Sequence, residues 1–79
     1  MPEQALELIG SRVRKLREEQ GISQENMARL CGIERSYYGR IERGKANIGI
    51  ELLLRIAAAL AVGLPELVID VTEEICRRG

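Results

Sequence analysis

Histidine, phenylalanine and tryptophan are all missing from this 79-residue chain. Without histidine, Cys31 and Cys76 have no imidazole to join them in a metal site, and their spacing is not that of metal ligands. No metal or cofactor is therefore expected. Two cysteines do not make a disulfide framework either. Cys31 falls on the inner side of a helix as small apolar filler, while Cys76 lies in the tail, where it could oxidise between chains in vitro. Without Phe or Trp, the core must come from Leu, Ile, Val, Ala and two Tyr. Such a core leaves a modest margin in so short a chain, and burying further surface in a dimer would add to it. Long apolar runs are lacking too. The stretch from Leu52 to Leu64 is broken by Arg55 and falls short of the about 20 residues that span a bilayer. No signal peptide is expected from the sequence. A soluble, cytoplasmic, one-domain protein with no membrane partner is expected. The catalytic inventory is equally thin, with no phosphate-cradling glycine loop and no nucleophile paired with a base, which argues against an enzyme.

Net charge is lacking as well, since 12 basic residues balance 12 acidic ones. Its distribution is uneven. Residues 29 to 55 carry six basic groups (Arg29, Arg35, Arg40, Arg43, Lys45, Arg55) against three acidic ones (Glu34, Glu42, Glu51). Both flanking segments are slightly acidic. A local basic face in a neutral protein suits specific binding of nucleic acid with limited non-specific retention.

What the chain does have is concentrated between Ser23 and Gly44, SQENMARLCGIERSYYGRIERG. Ser23 is an N-cap residue able to accept from a free amide at a helix start. Ala28 and Cys31 recur on one side of the helix that follows. Gly32 ends it, because glycine takes a left-handed backbone without steric penalty. Ile33 plugs the turn, and Tyr38 and Ile41 continue a buried stripe at helical spacing. Arg35, Ser36, Tyr37, Gly39, Arg40 and Arg43 are left facing outward. Two helices on a short turn, the second basic on its outer face, form the geometry that enters a DNA major groove.

Five helices fit the whole chain, giving an all-α architecture. The first runs from about residue 4 to Glu19, with Leu8 or Ile9, Val13 and Leu16 inward. The second covers about Ser23 to Leu30 and the third about Glu34 to Arg43, with Gly44 closing it. The fourth spans about Ile50 to Leu60. The fifth spans about Leu64 to Ile69, with Pro65 harmless in its first turn. The tail from Asp70 could add a helical turn or two. Helix four is apolar nearly all round. Ile50, Leu53, Ala57 and Leu60 form one inner stripe, leaving Leu52, Leu54, Ile56, Ala58 and Ala59 in excess. That excess marks helices four and five, about 50 to 69, as a homodimer contact through Leu52, Leu67 and Val68 with support from Ile69.

From Ile9 to Leu67 the chain resembles the Xre/Cro-type helix-turn-helix family. The resemblance is carried by LREEQGISQENMA, CGIERSYYGRIERGKANI and ELLLRIAAALAVGLPEL, with Ser23-Gln24, Ala28, Gly32 and Ile41-Glu42-Arg43-Gly44 in register. Among relatives of this size it is similar to the controller proteins of restriction-modification systems and to small phage repressors. The resemblance implies a compact, five-helix, lambda-repressor-like domain that regulates transcription by binding a palindromic operator in double-stranded DNA, with RNA polymerase as a further candidate partner. It also implies that Gln24, beside Ser23, bonds a phosphate from the start of helix two, and that Arg17 and Glu42 form a structural pair. Such a pair need not add net stability, although losing one partner is costly.

The N-terminal residues of a recognition helix reach deepest into the groove. Arg35, Ser36, Tyr37 and Arg40 are accordingly the candidate base contacts, Arg35 matching guanine O6 and N7. Arg43, Lys45 and Asn47 are candidate phosphate contacts, with Ser23 and Gln24. Three residues depart from the family pattern. Glu34 stands where relatives have a better-capping Ser, Thr or Asp, and it puts an acid near DNA phosphates. Tyr38 replaces an aliphatic residue, so its hydroxyl needs a partner. Ala61 occupies a helix-ending glycine site. The competing function is an antitoxin, or an adaptor whose helix-turn-helix docks on protein. The few residues after helix five suit a self-contained dimeric regulator better.

Overall fold

A computed structural model describes residues 3–78 of the chain, and its regular elements are all helices. They are α1 (Glu3–Glu19), α2 (Gln24–Cys31), α3 (Arg35–Glu42), α4 (Ile50–Ala59) and α5 (Leu64–Arg78). No strand occurs among the described residues.

The inner stripe of α1 runs through Leu6, Ile9, Val13 and Arg17. Spacings of three and four residues place these side chains one above another on a single face. Leu8 and Leu16 are only half-buried. The last inward position of α1 is thus an arginine, which the apolar pattern did not indicate. α2 begins as the sequence suggested, with the Asn26 amide donating to Ser23 Oγ at 3.0 Å. It ends at Gly32, whose φ of +71° lets the following Ile33 amide bond back to the Ala28 carbonyl. Ile33 is half-buried against the core beneath it. Tyr38, Ile9, Met27, Ile41, Ile56, Leu60, Leu67, Val13 and Cys31 fill the centre of the molecule. Burying each large aliphatic side chain contributes about 1.5–3 kcal/mol relative to leaving it exposed.

In α4 the buried set is Leu53, Ile56, Ala57 and Leu60, so Ile56 takes the place foreseen for Ile50. Ile50 opens the helix, where the Cα–Cβ bond tilts back past the helix start. It stays 61% exposed. Leu54 is also exposed, while Leu52 and Ala59 are half-buried. The helix closes on Ala61, whose φ is +57°. Holding a non-glycine residue there costs about 1–2 kcal/mol. Backbone bonding across the turn, Val62 N–H to the Ala57 carbonyl, offsets that cost, as does the Gln20 side-chain amide donating to the Leu60 carbonyl at 2.7 Å.

α5 runs on through the tail, taking up the helical turns that the segment after Asp70 left open. No glycine or proline interrupts the chain between Pro65 and Arg78. The helix lies along α1, with Arg12 Nη2 at 3.2 Å from Asp70 Oδ1. Its inner stripe is Leu64, Leu67 and Val71. Leu67 is 0% exposed, so its assignment to a subunit contact is corrected: it is a core residue, and a charge there would disrupt the fold. Val68 is half-buried and Ile69 exposed on the outer side. Among the described residues, no helix is long and apolar enough to cross a membrane.

Candidate nucleic-acid interface

α3 divides sharply into two sides. Tyr38, Gly39, Ile41 and Glu42 are buried, whereas Arg35, Ser36, Arg40 and Arg43 are exposed and Tyr37 is half-buried. Gly39, expected outward, is therefore an inward residue. A Cβ there would stand 3.2 Å from Arg43 Nη1 and 4.0 Å from Gln24 Oε1, so the missing side chain leaves room for both. Helical spacing alone does not show this, because a glycine carries no polarity to mark its face.

At the N-terminal end of α3, Arg35 and Ser36 make no side-chain hydrogen bond or ion pair to any described residue. Further along, two side chains rest on the segment after the helix. Tyr37 donates its hydroxyl to the Asn47 carbonyl at 3.1 Å, and Arg40 Nη2 donates to the Lys45 carbonyl at 3.3 Å. Lys45 itself is exposed, with Nζ 3.8 Å from Glu3 Oε1. A pair this exposed is worth at most about 1 kcal/mol. Arg43, directly after α3, and Asn47, four residues further on, are both exposed.

Beneath this surface lies a buried polar junction. Arg17 Nε stands 2.6 Å from Glu42 Oε2, and Nη2 stands 3.1 Å from Oε1, a two-pronged pairing. The third nitrogen, Nη1, donates to the Ile22 carbonyl at 2.7 Å. Glu42 also accepts from the Tyr38 hydroxyl at 2.5 Å and from Gln24 Nε2 at 3.0 Å. Burial alone would raise the Glu42 carboxyl, but its bonds from Arg17, Tyr38 and Gln24 outweigh this and hold it below the ordinary carboxylate value. The Tyr38 phenol is pushed far up, first by burial and then by its bond to Glu42. Burial likewise raises the Cys31 thiol, which keeps it unreactive in the core.

Gln24 is thus placed differently from a free phosphate-gripping side chain. One of its amide protons is committed inward to Glu42, leaving the second for any outside partner. Ser23 is exposed but its oxygen already caps α2. The partners of Glu42 within the motif were missed in the sequence. Tyr38 lies four residues before Glu42 on the same helix, a spacing that brings side chains together and could have revealed the bond. Gln24 carried no comparable signal, because its contact joins two helices.

A short helix, a glycine turn and a second helix with a basic outer end, braced by α1 behind and α4 beside, define a helix-turn-helix module. The chain belongs to the helix-turn-helix family, whose model matches residues 13–67. It is 39% identical over 67 residues to control protein C.MunI of Mycoplasma, covering 84% of this chain and 90% of that one. Control protein C.SmaI of Serratia marcescens is 34% identical over 61 residues, covering 77% and 73% of the two chains. The crystal structure of the restriction-modification controller protein C.AhdI from Aeromonas hydrophila superposes with a TM-score of 0.76. It is 44% identical, over 78% of this chain and 94% of that one. These relationships place the chain among DNA-binding transcriptional regulators and outside the enzymes.

Proposed function

We propose that this protein is a regulator of the restriction-modification controller type, binding a palindromic operator as a homodimer, with residues 1–79 acting as one domain. The observation that carries the sequence-specific part is the uncommitted pair Arg35 and Ser36 at the leading end of α3. Arg35 presents its guanidinium to guanine O6 and N7, and Ser36 bonds a neighbouring base edge. Tyr37 and Arg40 extend the reading face. Arg43, Lys45 and Asn47 grip phosphates on one flank, while Ser23 and the second amide proton of Gln24 do so on the other. Phosphate contacts set the register, and base contacts set the sequence. Such a regulator represses by covering a promoter or activates by touching RNA polymerase.

The test is a mobility-shift titration against DNA upstream of the protein's own gene. Arg35→Ala should weaken specific binding by about 1–3 kcal/mol while leaving binding to random DNA nearly intact. Equal losses on both duplexes would reduce Arg35 to a phosphate contact.

Assembly rests on the apolar outer side of α4 and α5. Leu64, Pro65, Val68, Ile69 and Thr72 line a shallow groove of about 380 Å³, and Leu52 is only half-buried. A two-fold contact sets each residue near its own copy or a neighbour of it, so one new charge is felt twice. Ile69 is 42% exposed, so a polar replacement leaves the core intact. Ile69→Glu should give a folded monomer with much weaker operator binding. Sedimentation at micromolar concentration is the check, and a variant that remains dimeric would remove this face from the interface.

A further inference from the structure

Glu34 occupies the N-cap of α3, with φ −72° and ψ 147°, yet its side chain makes no capping bond. The residue is exposed, and its carboxylate has no ion pair or hydrogen bond among the described residues. Serine or aspartate at that position would satisfy a free amide, so the glutamate forgoes the ordinary use of the site. Its carboxylate sits directly before Arg35, at the end of the helix that reaches deepest into a major groove. It borders an open groove of about 650 Å³ shared with Arg29, Gly32, Ile33 and Tyr37.

An ionised carboxylate accepts hydrogen bonds and donates none. Phosphate oxygens are acceptors carrying the same sign of charge, and they repel it. The donors that a major groove offers are the exocyclic amines, N4 of cytosine and N6 of adenine, and acidic side chains pair with cytosine N4. Arg35, the next residue, has the complementary preference for guanine O6 and N7. Successive positions therefore present an acceptor and a donor fork, which match the two strands of G·C pairs. Arg29, lining the same groove, offsets part of the repulsion between the acid and the DNA backbone.

We infer that Glu34 is a specificity-determining residue, which accepts from a cytosine N4 amine beside the guanine read by Arg35 and lowers affinity for unrelated DNA. This rests on the proposed DNA-reading function. It is tested by selecting sites from a randomised duplex library with the wild-type full chain. Every single base-pair change in the selected site is then measured with wild type, Glu34→Gln and Glu34→Ser.

At one position in each half-site the wild type should prefer cytosine by about fivefold to 150-fold. In both variants that preference should shrink to about twofold or less. Preferences elsewhere should persist, and affinity for random DNA should rise. Glu34→Ser restores a capping hydroxyl, so it should melt higher while losing the cytosine preference, an opposition that a purely structural role would not produce. A base-preference profile identical in all three proteins overturns the assignment of Glu34 and leaves the DNA-reading function standing. A wild type that enriches no sequence overturns both.

Discussion

Glu42→Ala should destabilise the protein by about 3–5 kcal/mol, the scale for removing one member of a buried ion pair. The Glu42 side chain is 2% exposed, and four donor atoms converge on it from three helices: Nε and Nη2 of Arg17 in α1, Nε2 of Gln24 in α2 and the hydroxyl of Tyr38 in α3. Without the carboxylate, the Arg17 charge and the Tyr38 hydroxyl remain inside with no acceptor. A chain of this size has roughly 4–12 kcal/mol in total, so much of that margin would go. Urea unfolding followed by circular dichroism measures the loss, and a value under about 1 kcal/mol would show the junction to be nearly neutral. The same junction fixes the pH response. Because the folded-state carboxyl of Glu42 lies below its ordinary value, its contribution is present above that value and fades as pH falls through the lowered one. Tyr38 acts at the other end. Its phenol is raised in the folded state, so stability is full below the ordinary phenol range and declines as pH rises beyond about 10, where the unfolded chain ionises first.

Gly44→Ala should cost about 2–4 kcal/mol, combining about 1 kcal/mol for the backbone with about 1–3 kcal/mol for overpacking. Gly44 has φ +72°, and a Cβ there would come within 2.7 Å of Glu7 Cα and Cγ and 2.9 Å of Glu7 N. The obstacle is the backbone of α1, which cannot swing away as a side-chain tip does. Gly21 supplies the control. Its φ is +69°, but nothing lies within 4 Å of a Cβ placed there. Gly21→Ala should therefore lose only the conformational part. Should both variants melt alike, the close approach of Gly44 to α1 is not what sets the loop.

The elements that declared themselves in the sequence are those written in local chemistry. Ser23 caps, Gly32 turns, and Tyr38 and Ile41 face inward, whereas the left-handed backbone of Ala61 was indicated by the family resemblance alone. What stayed hidden depends on a second element. Gly10 looks like an ordinary weak helix residue, yet a Cβ on it would meet the Ile41 carbonyl at 2.5 Å and that of Glu42 at 2.6 Å. Its smallness sets how near α1 lies to α3. Leu67 and Val68 are adjacent apolar residues, and only the position of α1 decides that the first is core and the second partly free. The end of α5 was left open because Val71 and Thr72 are indifferent helix formers, and it is Val71, packed against the core, that ties this stretch of the helix down. On the reading face, residue types named the candidates. They did not reveal that Gln24 bonds inward while Arg35 stays uncommitted.

Tyr37 and Arg40 rest on the carbonyls of Asn47 and Lys45, the stretch that also carries the candidate phosphate-gripping groups. Long side chains lose rotational freedom when they are fixed, and for arginine that loss approaches about 2 kcal/mol. Here part of the loss is incurred during folding. On meeting the proposed operator, the protein would have fewer rotamers to freeze than four independent surface side chains would demand. Under the proposed DNA-reading role, the same tethers would keep these two groups from reaching for whichever phosphate is nearest on unrelated DNA. Restraint of this kind is invisible in the contacts of a finished complex, and under the proposed role it would widen the gap in lifetime between a correct site and a random one.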